Sequence, residues 1–403
     1  MAGWSGVTVV GPLEEFAEGF RGELAGAGYA SRSSEAQLGL MGHVSRWLSA
    51  QGLGTGDLST EAATRFVADR RRSHRSLRSS RALVPLLAYL RLRGAIPPAS
   101  AVAAIDPHEA LLERFGGYLA CERGLAEATV KSYVSQARPF VGEHAPEKWG
   151  ALTGRQVAVF VTERSLAQPP RSVAVRANAL RCLLRWMWRE GLVSSPSLAD
   201  AVGKVAAPTR NVPPKALSAT ELESLMAGLP AGSARVRDEV MLVLMWRLGL
   251  RAGEVARLRL EDVNWREGVV LVRGKRARLD HLPLPVDVGK LLAGYLSRGR
   301  PRGPAHREVF LAIDAPHGPL SSTAVSSVAA RALAAAAIAG GGGAHRLRHT
   351  AACGVLAAGG GLAEVGQLLR HSSPETSAIY ARSDRRALAV LARPWPTSAG
   401  ATR

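Results

Sequence analysis

Cysteine is scarce: Cys121, Cys182 and Cys353 are the three in 403 residues, far apart and odd in number. No CxxC pair occurs, so no disulfide framework is expected, and the usage suits a reducing compartment. Aromatic residues make up 5% of the chain while Ala, Leu, Val and Arg abound, a bias toward helices over sheets. No stretch approaches the apolar length of a membrane span. The opening MAGWSGVTVVGPLEEF has neither a basic leader nor a long apolar run, so no signal peptide is expected. Acidic side chains are in deficit, 33 against 52 Lys and Arg, for a formal charge of +19. Such an excess suits a polyanionic partner, because each phosphate neutralised releases counterions. On charge alone, a basic membrane-surface protein or an ordinary basic protein stays open.

At 403 residues the chain exceeds what one hydrophobic core usually holds, so two or three domains are expected. The first half repeats itself. LSTEAATRFVADR, from Leu58 to Arg70, aligns with LTGRQVAVFVTER, from Leu152 to Arg164, so Phe66 falls opposite Phe160 and Arg70 opposite Arg164. ALVPLLAYLRLRGAIP, from Ala82 to Pro97, aligns with ALRCLLRWMWREGLVS, from Ala179 to Ser194, so Tyr89 falls opposite Trp186 and Gly94 opposite Gly191. Leu180, Leu183, Leu184 and Met187 recur at helical spacing, and Gly191 stands where a helix C-cap belongs. Two small helical domains are inferred, residues 1–103 and 107–203, with the Ala- and Pro-rich segment 95–107 between them.

A second connector, residues 204–216, contains Pro208, Pro213 and Pro214 and the basic residues Lys204, Arg210 and Lys215. It reads equally as a strap along a phosphate backbone or as a solvated linker. The third domain, residues 217–403, opens with the capping box Ser218–Glu221. A helix is expected from Arg235 to Leu248, ended by Gly249. Strands are expected at Gly268–Val272 and His281–Val286, as a hairpin around the basic turn RGKRARLD. The run AAAAIAGGGG before His345 reads as low-complexity and mobile. A last short helix is expected at about Arg385 to Leu391.

Five groups in this third domain fit one reaction. They are Arg251 in GLRAGEVARLRLEDV, Lys275 in the hairpin turn, His345 and Arg348 in HRLRH, His371 in LLRHSS, and Tyr380 in ETSAIY. Taken singly each has a plain reading: a solvated helix end, one basic residue among Arg273, Arg276 and Arg278, or a packed tyrosine. His345 and His349 resemble half a zinc site, but neither HExxH nor a cysteine cluster accompanies them. Their joint order and spacing, including Arg251-x-x-Glu254 and the nine-residue step from His371 to Tyr380, resemble the tyrosine recombinase (phage integrase) family over residues 218–384. Residues 107–203 resemble the family's helical core-binding domain more loosely, and residues 1–103 are an extra copy of that type.

The resemblance implies a mainly α fold with a small β-sheet or hairpin in the catalytic domain, preceded by two helical SAM-like DNA-binding domains. It implies cleavage and rejoining of DNA strands through a 3′-phosphotyrosine, with no metal, cofactor or ATP. Tyr380 would be the nucleophile. Arg251 and Arg348 would hold the non-bridging phosphate oxygens in fork-shaped hydrogen bonds and neutralise the charge that grows in the transition state. A phenol with a pKa near ~10 needs a proton acceptor, a role given to His345. His371 would donate to a phosphate oxygen, and Lys275 would protonate the leaving 5′-oxygen. Glu254 would orient a catalytic group and His349 would support the site. Lys204, Arg210, Lys215, Arg273, Arg276 and Arg278 would contact DNA.

The implied partner is double-stranded DNA with a specific site, gripped by a homotetramer on two sites, with accessory DNA-bending or sister recombinase proteins possible and no membrane. The implied setting is the bacterial cytoplasm and nucleoid, and the implied context a mobile element undergoing integration, excision or transposition. Rival readings are a type IB topoisomerase, a non-catalytic DNA-binding accessory protein, and a basic adaptor for RNA or acidic proteins. Two departures from the family pattern stand out. Arg370 replaces the glycine usual before the third-motif histidine, and Gly359 to Gly361 are expected to weaken the helix that follows HRLRH.

Overall fold

The computed structural model describes residues 7–73, 80–98, 106–144, 146–165, 168–203, 215–274, 278–301, 306–371, 373–383 and 388–389. By its contacts the chain falls into two compact units, Met1–Ile96 with Asn211–Arg403, and Pro97–Arg210. The first unit holds separate cores, one built from residues 9–96 and the others from residues 217–380. No helix among the described residues is long and apolar enough to cross a membrane.

The first four helices are α1 (Ala17–Gly26), α2 (Ser31–Ala50), α3 (Thr60–Ser73) and α4 (Val84–Leu92). The next four, in Pro97–Arg210, are α5 (Pro107–Gly117), α6 (Glu127–Glu143), α7 (Gly154–Ser165) and α8 (Pro170–Arg189). The aligned residues of the repeat do the same work in each set. Phe66 meets Trp47 edge-on at 5.8 Å and 73°, and Phe160 meets Phe140 edge-on at 5.1 Å and 80°. Tyr89 packs on Phe20 at 5.3 Å and 38°, Trp186 on Phe115 at 5.4 Å and 41°. Such ring pairs add about 0.5–1.5 kcal/mol each beyond burial. Gly94 and Gly191 both take left-handed backbones, with φ 66° and 70°. The stripe Leu180, Leu183, Leu184 and Met187 is buried, as its spacing requires.

The remaining elements are α9 (Ala219–Ala227), α10 (Ser233–Arg247), α11 (Ala252–Ala256), β1 (Val263–Asn264), β2 (Val269–Arg273), β3 (Leu279–Pro283), α12 (Val286–Gly294), α13 (Ser322–Ala335), α14 (Gly343–Ala357), α15 (Leu362–Leu369) and α16 (Pro374–Ser377). Both halves of the Ser218–Glu221 capping box form. Val240 to Met245 are all buried, so α10 runs through the core rather than along its edge. It packs against α12 and α14.

The expected hairpin is present with two differences. Strand β3 begins and ends earlier than expected, and a two-residue strand β1 joins β2 to make a three-stranded antiparallel sheet in the order β1-β2-β3. Val270 pairs with Val263 on one side and Leu282 on the other. The partner strand is set by the cross-strand register, which the run Val263–Asn264 is too short to signal by itself.

One expectation about glycine-rich sequence is corrected. Of the run before His345, Ala334 and Ala335 close α13 and Ala336 is its C-cap. Gly340 to Gly343 follow as four left-handed residues that turn the chain into α14. Helix α14 ends at Ala357, so Gly359 to Gly361 form the turn into α15 and do not weaken the helix that bears HRLRH. Of the helix expected at Arg385 to Leu391 only residues 388–389 are described, and they are helical; Lys204, Arg210, Lys275 and Arg276 lie outside the described residues.

Candidate active site

Helix α10 ends against Gly249, whose φ of 59° reverses the chain. A Cβ at this position would come within 2.7 Å of Leu369 Cδ2, so the turn needs glycine for conformation and for space. Two residues later Arg251 stands at the N-cap of α11, half exposed. Its backbone N–H donates to Glu254 Oε2 at 2.8 Å and its Nη1 to Glu254 Oε1 at 2.7 Å. Glu254 is buried. Burial pushes its carboxyl up, but Arg370 and the two bonds from Arg251 outweigh that and hold it below the usual carboxylate range.

Helix α14 presents His345, Arg348 and His349 on one face, as three- and four-residue spacing dictates. Arg348 is buried. Its Nη1 donates to the Gly249 carbonyl and its Nη2 to the Leu369 carbonyl, tying the turn before Arg251 to the end of α15. Burial, then the neighbouring Arg251 charge, lowers its pKa to about 10, still cationic at neutral pH. His345 is exposed on the helix and stacks on His349 at 5.7 Å. Arg251 and His345 line one groove of about 600 Å³, together with Arg257, Ser322 and Ser326.

Tyr380 follows α16 and is 2% exposed, packed with Ala352, Leu356, Val365 and Leu369. Its hydroxyl lies 2.7 Å from His349 Nδ1. Burial raises the phenol to about 12, against the lowering pull of Arg348. Burial, then His345 and Arg348, depresses His349 to about 4. At neutral pH both partners are therefore uncharged, and the phenol donates to the imidazole nitrogen. His371 stacks on the Tyr380 ring at 6.5 Å and 15°, and its Nδ1 lies 2.8 Å from Ser377 Oγ. Burial and the arginines Arg348, Arg251 and Arg370 lower His371 to about 4.

The structure thus brings together Arg251, Glu254, His345, Arg348, His349, His371 and Tyr380, from four segments of the chain. The phenol's hydrogen bond goes to His349, where the sequence argument put His345 in contact. The signal was present in HRLRH, since His349 lies one turn from His345 on the same face of the helix. Sequence reasoning missed Ser377 beside His371, and it saw Arg370 only as a departure from a pattern. In the structure Arg370 is buried and its Nη2 lies 2.7 Å from Glu254 Oε2. Of the DNA-contact candidates, Arg273 is paired with the buried Asp262 and Arg278 with Asp280, while Lys215 is exposed.

Residues 215–386 match the phage integrase family and residues 112–191 match its N-terminal SAM-like domain. The chain is 34% identical over 406 residues to y4rA of Sinorhizobium fredii (strain NBRC 101917 / NGR234), named as an integrase/recombinase, covering 96% of both chains. It is 30% identical to the tyrosine recombinase XerD of Lacticaseibacillus casei, over 71% of this chain and 98% of that one. In fold it resembles a lambda integrase tetramer bound to a Holliday junction, with TM-score 0.52 and 18% identity over 72% of this chain and 88% of that one. A buried tyrosine beside an arginine pair and histidines, on a chain matched along nearly its whole length, places this protein in the phage integrase family, the tyrosine recombinases.

Proposed function

We propose that the protein is a site-specific DNA recombinase that cuts and rejoins duplex DNA through a 3′-phosphotyrosine at Tyr380. The observation that carries this reading is the 2.7 Å bond between Tyr380 and His349, beside Arg348 and Arg251. In the cleaving step the Tyr380 oxygen bonds to phosphorus and the bond to the 5′-oxygen breaks. The phenol proton passes to His349, in line with the observed contact, with His345 beside it. Lys275 returns a proton to the leaving 5′-oxygen. Arg251 and Arg348 hold the two non-bridging oxygens as negative charge grows on them, and His371 donates to the same phosphate. An arriving phosphate raises the His349 pKa and makes it a better base. Because the phosphotyrosine keeps the ester bond, a 5′-hydroxyl from another strand reverses the step without net hydrolysis.

The buried phenol must leave its packing against Leu356 and Leu369 to reach a phosphate, so segment 374–383 moves when DNA binds. Residues 1–103, 107–203 and 217–403 act as two DNA-gripping helical domains and a catalytic domain, with 204–216 as a basic strap. Lys204, Arg210, Lys215, Arg273, Arg276 and Arg278 supply phosphate contacts. The named neighbours include a tetramer on a Holliday junction, and a homotetramer on two sites is the assembly proposed here, in service of a mobile element in the bacterial cytoplasm.

The test is covalent trapping. Wild type and Tyr380→Phe are incubated with fragmented DNA of the source element, denatured, and the attached DNA is sequenced. Adducts from wild type alone, sharing one site, are the expected result. Adducts without a shared site indicate a relaxing topoisomerase instead. Reversible binding without adducts in either protein defeats the catalytic reading.

A further inference from the structure

Helix α15 ends at Arg370 with φ 55° and ψ 49°, a left-handed backbone that a glycine adopts freely and an arginine does not. The side chain is turned inward and buried. Its Nη2 lies 2.7 Å from Glu254 Oε2 and reaches the Gly249 carbonyl at 3.4 Å, and its Nη1 bonds the Leu368 carbonyl at 3.0 Å and the Leu248 carbonyl at 3.4 Å. Glu254 is the group that anchors Arg251 through both its backbone and its guanidinium. Leu248 and Gly249 are the turn from which Arg251 emerges, and Gly249 also accepts from Arg348. Arg370 therefore grips both supports of Arg251 and one support of Arg348, and the next residue in the chain is His371.

We infer that Arg370 is a positioning residue for the phosphate clamp: it carries the countercharge of Glu254, so that Glu254 can hold Arg251 in place without neutralising it. Three guanidinium groups and one carboxylate leave the site a net charge of two, the charge a two-arginine clamp needs opposite a phosphorane. Without Arg370 the same carboxylate is left buried with Arg251 as its remaining ion-pair partner, and a buried carboxylate in that position draws the guanidinium onto itself. The backbone strain at Arg370 is consistent with a side chain retained for what it does rather than for the turn it sits in.

This inference rests on the recombinase reading, and its test separates the two. Single-turnover cleavage of a nicked duplex carrying the trapped site is measured for wild type, Arg370→Gly and Arg370→Lys, with Tyr380→Phe as the inactive control. Each is assayed on the natural phosphodiester and on a duplex with a methylphosphonate at the cleaved position, where one anionic oxygen is gone. Glycine suits the left-handed backbone, so Arg370→Gly keeps the turn, and a thermal melt checks its folding. The expected result is cleavage of the phosphodiester by Arg370→Gly slowed about 10- to 100-fold, with duplex affinity unchanged. The deficit shrinks on the methylphosphonate, and Arg370→Lys recovers part of the rate. Cleavage by Arg370→Gly at the wild-type rate, or slowed equally on both substrates, overturns the positioning role. Absence of a Tyr380-dependent adduct in wild type overturns the recombinase reading and this inference with it.

Discussion

His349, rather than the more exposed His345, touches the Tyr380 hydroxyl, and the two histidines should differ accordingly. His349→Ala is expected to slow single-turnover cleavage by about 100-fold or more, the scale of a lost proton acceptor, and His345→Ala by less. Equal losses would return the acceptor role to His345. The same environment makes stability depend on pH. His349 and His371 titrate near 4 when folded, below the ordinary value of 6.5. Below 6.5 the unfolded chain binds protons that the folded chain refuses, so stability present above that pH is lost as pH falls toward 4. Thermal melts of wild type should show Tm falling from pH 6.5 to 4, and the double variant His349→Ala/His371→Ala should flatten that slope. An unchanged slope in the double variant would mean other groups set the acid limb.

At the scale of elements, the site depends on how α10, α14 and α15 end or begin. The Gly249 turn carries Arg251, accepts from Arg348, and leaves no room for a Cβ beside Leu369. Gly249→Ala should cost about 1–3 kcal/mol in chemical denaturation, from a positive φ and a clash together. It should also lower cleavage by more than the loss of stability explains, because the turn displaces Arg251. Retained stability and rate would show that Leu369 yields. Helix ends were legible from sequence: Ser218–Glu221 caps α9 and Gly249 ends α10 as read. Strand β1 was not, since two residues carry no periodicity. The end of α13 within the alanine–glycine run was not legible either, since low complexity carries no periodicity to mark where a helix stops.

For the whole molecule, the proposed recombinase reading makes the formal charge of +19 the driver of encounter with DNA. Binding to duplex DNA should weaken steeply with salt, with log affinity falling linearly against log salt at a slope of about −0.9 per phosphate contact. Filter binding from low to physiological salt measures it, and a flat profile would refute phosphate contacts as the source of affinity. The second unit, Pro97–Arg210, encloses its own core around Phe115, Phe140, Phe160 and Trp186.

The sequence alone determined the helical bias, the repeat with its paired aromatics, the basic excess, and the order of the candidate residues that carries the family resemblance. The first three follow from composition and periodicity, and the last from the joint order of residues along the chain. Tertiary structure decided the relations between segments. It chose His349 as the phenol's partner, buried Tyr380, and set Arg370 against Glu254 from 116 positions away. Hydrogen bonds and burial between distant segments depend on how helices pack, and no local pattern of residues encodes the distance between two side chains brought together only by the core.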